Sequence, residues 1–216
     1  MPVLTVAGRT DAGVHAVGQV VSAADVPDDA DPDKLRDSLN GMCGPSIGVH
    51  RCSRAPDDFN ARFDALSRTY VYAIVTGEVP DPWIAATAWH HPDALDVEAM
   101  SEAAGHLLGR RDFTSFGRLP SPDAAPERTL YELACSRSGG IVRIRARADA
   151  FIQQMVRSLA GTLVAVGEGK MAPGDMTAVL AARDRGAAGV VAPPHGLCLV
   201  AVEYPHGWSR PFDPFQ

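Results

Sequence analysis

Long apolar runs are missing from this chain of 216 residues, and nothing in it approaches the roughly 20 residues that a bilayer-spanning helix needs. Cysteine is scarce and scattered. Cys43, Cys52, Cys135 and Cys198 form no CxxC pair, which argues against a disulfide scaffold or a paired-cysteine zinc cage and points to a reducing, cytoplasmic compartment. The apolar opening, residues 1–7, is too short for a secretory signal, has no basic flank and soon meets Arg9. Lysine is almost absent, since 18 of the 20 basic residues are arginine. Low-complexity sequence is absent too. What is there, 46% hydrophobic and 21% charged residues, is the composition of an ordinary folded domain.

The net charge of −6 speaks against a polyanionic partner, but its distribution does not. Six aspartates crowd residues 25–37, whereas nine arginines stand against five acids between Arg110 and Arg157. Arginine is the side chain suited to planar phosphate contacts and stacking. An Arg-rich face exposed to water accounts for the same pattern, so charge alone leaves nucleic-acid binding open.

Apolar periodicity predicts strands at 3–7, 14–23, 47–54, 69–76, 129–137, 141–148 and 197–204. A first helix follows the N-cap Asp31 and Pro32, with Leu35, Leu39 and Met42 facing inward. Asp96 caps a second, which Gly109 stops. Residues 151–166 carry the strongest helical stripe, closed by Gly167, and 176–182 a weaker one. Three prolines make 118–128 a loop, and the Ser138-Gly139-Gly140 break predicts a hairpin. The class is α+β, a mostly antiparallel sheet with flanking helices in two α/β halves, residues 1–80 and 81–206, before a tail at 207–216.

Three patterns resemble sites and are better read otherwise. Gly44-Pro45-Ser46-Ile47-Gly48 matches G-x-S-x-G, yet a helix precedes it and a strand is expected after it, the reverse of a nucleophile elbow. The glycines at 167 and 169 close a helix instead of opening one. His90-His91 lacks a third ligand at useful spacing, so no metal is expected.

Gly8-Arg9-Thr10-Asp11-Ala12-Gly13-Val14-His15 lies between two apolar segments. One reading is a connecting loop with Asp11 in an Asx-turn. The other is a reactive carboxylate flanked by a basic residue and by small residues that let a bulky substrate approach. Arg143, Arg145 and Arg147 alternate with apolar residues and fit either a phosphate track or a solvated sheet face.

The stretch GRTDAGVHAVGQV resembles the nucleophile motif of the tRNA pseudouridine synthases of the TruA type. Residues 57–63 with Ser67-Arg68-Thr69-Tyr70-Val71-Tyr72 resemble that family's F-x-A-R-F and tyrosine motif, with Asn60 where many members carry His. Residues 109–116 are similar to its G-x-x-D-F-x-x-F element, 150–157 to its M-V-R helix, and 192–197 to its A-P-x-x-G-L entry. The order is the family's. The resemblance also implies a preceding strand and helix with a G-Y-D-G-x-x-F-x-G-W-Q signature, which this sequence lacks. A non-catalytic RNA-binding remnant is therefore the alternative to an enzyme.

The resemblance implies an isomerase that converts uridine to pseudouridine at positions 38–40 in the anticodon arm of tRNA, acting as a cytoplasmic homodimer. The glycosidic bond is cut, the base turned and a carbon–carbon bond made, so no cofactor is expected. Asp11 is the implied nucleophile. Whether it attacks C1′ or the uracil ring, it must stay ionised beneath a base, and a nearby guanidinium favours the charged form. Arg157, the M-V-R arginine, is the implied partner. Tyr70 is implied to stack on the uracil, and Arg9 to brace the space the base leaves.

Overall fold

The computed structural model describes residues 3–121 and 123–205; the expected tail at 207–216 lies outside them. Among the described residues the strands are β1 (Leu4–Val6), β2 (His15–Ala16), β3 (Val21–Ala23), β4 (Ser67–Thr76), β5 (Trp89–His91), β6 (Gly109–Asp112), β7 (Glu127–Ser138), β8 (Ile141–Ala148) and β9 (Leu197–Glu203). The helices are α1 (Pro32–Cys43), α2 (Val97–Gly105), α3 (Met155–Gly167) and α4 (Asp175–Ala182). No helix among the described residues is long and apolar enough to cross a membrane. Among the described residues the contacts gather into two units, residues 3–7 with 20–64 and residues 8–19 with those from 65 onward.

The first unit pairs β1 with β3 antiparallel and carries α1. Asp31 caps that helix as expected, accepting from the N–H groups of Asp33 and Lys34. The inward stripe does not follow: Leu35 and Leu39 are half-buried and Met42 is exposed. A two-stranded ribbon is too narrow to bury a helix face. Residues 47–54 form no strand, against expectation. The Asn40 side chain donates to the Val49 carbonyl at 3.0 Å and accepts from its N–H at 2.6 Å. It thereby occupies the groups through which a ladder would pair. The Gly44–Ser46 segment is a turn at the end of α1.

The second unit is built on a seven-stranded sheet in the order β2-β9-β4-β8-β7-β6, with β5 pairing with β4. Only β2 on β9 and β5 on β4 run parallel, so the sheet is mostly antiparallel and the fold is α+β. The apolar run of β4 suits its central place, where residues 69–74 are buried on both faces. In β8, Val142, Ile144, Ala146 and Ala148 are buried while the arginines between them are half-buried. α2 packs on β7 and α3, and α3 reaches β4. On the opposite face the Glu132 carboxylate meets Arg145 at 3.3 Å and Arg147 at 3.8 Å, and the Arg147 guanidinium lies 5.1 Å from the Tyr131 ring centre.

Three expectations need correcting here. The predicted strand at 14–23 is two strands in different sheets, because Val17 and Gly18 turn their N–H groups onto the Leu199 carbonyl, both at 3.0 Å. α3 begins at Met155, not at 151. Residues before it are drawn into an antiparallel bridge with Arg118, with N–H···O distances of 2.9 and 3.2 Å, and Gln154 takes a left-handed φ of 65°. α2 ends at Gly105, and Gly109 starts β6, a strand the periodicity did not predict; β5 was likewise missed. His90 and His91 lie on β5, with the His91 Nε2 3.0 Å from the Glu168 carboxylate.

A strap at 189–192 runs along α3. Gly189 donates its N–H to Thr162 Oγ1 at 3.0 Å, and Ala192 donates to the Arg157 carbonyl at 3.1 Å. A Cβ on Gly161 would lie 1.7 Å from the Val190 carbonyl oxygen. Gly161→Ala should thus force the strap and helix apart at a cost of about 2 kcal/mol or more. Urea unfolding should show a lower midpoint, and an unchanged midpoint would mean that the strap does not seat on the helix in solution.

Candidate active site

Asp11 lies in the loop between β1 and β2, where its carbonyl accepts from the Val14 N–H at 3.0 Å. β2 runs along β9, pairing His15 with Cys198, and so ties the loop to the edge of the large sheet. At the other end, the Gln19 amide accepts from the Gly8 N–H at 3.3 Å and donates to the Gly8 carbonyl at 2.7 Å. This single side chain supplies both bonds of a ladder rung.

Arg157 stands in the first turn of α3. Its Nη1 donates to Asp11 Oδ2 at 3.0 Å and its Nε to the Ala192 carbonyl at 2.8 Å. The arginine side chain is 14% exposed and the aspartate side chain 30%. Asp11 Oδ1 accepts no hydrogen bond among the described residues. The site therefore holds an anion with one oxygen neutralised and a face still open.

Tyr70 is buried on β4, with Phe151 edge-on at 5.3 Å between ring centres. Its hydroxyl lies 3.2 Å from where a Cβ on Gly8 would stand, which places it under the entry to the Asp11 loop. Burial pushes this phenol up to about 12, Arg68 pulls it down and the Asp11 charge raises it again. Arg9 is exposed and makes no hydrogen bond or ion pair among the described residues. Of the residues singled out from sequence, Asp11 and Arg157 thus meet, Tyr70 lies beneath Gly8 at the start of the same loop, and Arg9 is exposed on that loop.

Sequence reasoning passed over Gln19, Phe151 and the Ala192 carbonyl. Gln19 and Phe151 lie within the quoted motifs, but nothing in their spacing told of a contact. The Ala192 carbonyl is a backbone group, invisible to any pattern of side chains.

The neutral, buried Tyr70 phenol binds its proton more tightly folded than unfolded. Its contribution to stability is complete below about pH 10 and is lost as pH climbs toward about 12. The difference in phenolate absorbance between the parent chain and Tyr70→Phe should stay flat through the ordinary tyrosine range. A group that titrates near pH 10 in that difference would contradict the burial.

A family described as tRNA pseudouridine synthase matches residues 103–205. The chain is 47% identical over 199 residues to the tRNA pseudouridine synthase A of Rhodopseudomonas palustris, covering 92% of this chain and 80% of that protein. It is 46% identical over 202 residues to its counterpart in Agrobacterium fabrum, covering 92% of this chain and 76% of the relative. It is 45% identical over 210 residues to that of Allorhizobium ampelinum, covering 95% and 81%.

Proposed function

The chain belongs to the tRNA pseudouridine synthase family and is an isomerase, and on that premise we propose that it converts uridine to pseudouridine at positions 38–40 in the anticodon arm of tRNA, with Asp11 as nucleophile. The observation that carries the assignment of roles is the 3.0 Å pair between Arg157 Nη1 and Asp11 Oδ2, on a loop whose Gly8 lies over the Tyr70 hydroxyl.

The target base leaves its stack at a cost of a few kcal/mol. Stacking on Tyr70 returns roughly 1–3 kcal/mol of that, and Arg9 fills the space left behind. Arg157 keeps Asp11 ionised as the base displaces its water, because an opposite charge favours the carboxylate. The carboxylate opens the route by which the C1′–N1 bond breaks. Asp11 bonds to C1′ or to the uracil ring, and the freed uracil turns. C5 bonds to C1′ and the bond to Asp11 is released, while the proton on C5 leaves and N1 takes one up, so that the product is an isomer of the substrate. Atoms are conserved and nothing is oxidised or reduced. The proposed setting is the cytoplasm and the proposed assembly a homodimer; sedimentation that gives only the 22.9 kDa monomer would overturn the latter.

Asp11→Ala should abolish pseudouridine formation, read by mass mapping of modified tRNA, while tRNA affinity stays within about tenfold, since phosphate contacts position the RNA. Turnover in that variant would remove Asp11 from the chemistry. Arg157→Ala should depress turnover more than affinity, and a loss confined to affinity would make Arg157 a phosphate contact.

A further inference from the structure

Tyr72 follows Tyr70 by two positions on β4, so both side chains emerge on one face of the sheet. It is fully buried. Its hydroxyl donates to the Pro193 carbonyl at 2.7 Å. Its ring lies flush against Gly196, where a Cβ would come within 2.7 Å of it. The 193–196 segment is thus held against Tyr72 at two points.

The residue before Pro193 is the one that grips Arg157. Ala192 donates its N–H to the Arg157 carbonyl at 3.1 Å and accepts from Arg157 Nε at 2.8 Å. A guanidinium is planar, so a bond at Nε restricts where Nη1 points. Nη1 is the atom that reaches Asp11. Tyr72 and Arg157 are also close in an electrostatic sense: burial drives the Tyr72 phenol upward, and the Arg157 charge opposes it.

We propose that Tyr72 is a positioning residue for the Arg157–Asp11 pair, its hydroxyl fixing the Pro193 carbonyl so that the neighbouring Ala192 carbonyl aims the guanidinium. Tyr72 has no part in contacting the base; it acts through Arg157. The proposal rests on the reading that Asp11 and Arg157 work together in the isomerisation.

Tyr72→Phe removes only the hydroxyl and should fold. It should lower kcat about tenfold, because small misplacements of catalytic groups carry large rate penalties, with KM for tRNA unchanged. In an Arg157→Ala background the same substitution should change kcat by less than about twofold, since effects exerted through one residue do not add. Equal losses in both backgrounds, an unaltered kcat, or a Tyr72→Phe chain that does not fold would each overturn the proposal. A second measurement needs no substrate. The Arg157 Nε–H should exchange with water faster in Tyr72→Phe than in the parent chain, and equal rates would also overturn it. If the parent chain forms no pseudouridine, the underlying reading of Asp11 fails, and the exchange rates still decide whether Tyr72 holds Arg157.

Discussion

Arg157 is bound on two sides at once, by the Asp11 carboxylate through Nη1 and by the Ala192 carbonyl through Nε. Each contact matters because the guanidinium is mostly withdrawn from water. A cation in that position without an anion beside it would be strongly disfavoured. The same holds in reverse for the Asp11 carboxylate, whose side chain is itself only partly exposed. Pairing satisfies both groups, and it draws together a loop from the start of the chain, a helix from the last third and the strap that precedes β9.

That convergence depends on the sheet. β4 lies between β8 and β9, and carries Tyr70 and Tyr72 on the face against which the strap packs. β9 receives β2 on its outer edge, which brings the Asp11 loop alongside. Glycine at 161 lets the strap approach α3 within a distance that any side chain would block. The same architecture buries Tyr70 beneath the loop, where desolvation holds its phenol neutral. Within this second unit, packing and electrostatics serve the same few residues.

Local signals in the sequence were reliable where the physics is local. Asp31 and Asp96 cap helices because a carboxylate followed by free N–H groups needs no distant partner. The alternation in β8 survives intact because one face of that strand is covered. Prediction failed where a remote contact intervened. Asn40 bonds both backbone groups of Val49 and prevents a strand, Arg118 draws residues before Met155 out of a helix, and the stripe on α1 finds too little surface to bury it. β5 and β6 are too short for a period to show.

The motif at residues 8–16, and the later motifs in their order, were enough to indicate the family and to single out Asp11, Arg157, Tyr70 and Arg9. Motifs are strings of side-chain types, and a string carries chemistry wherever the residues are neighbours. Distances were beyond it. Asp11 and Arg157 lie 146 residues apart, and only the folded sheet determines that they meet and which nitrogen faces which oxygen. The backbone carbonyls of Ala192 and Pro193 were further out of reach, because every residue carries a carbonyl and only folding selects the two that hold a side chain in place.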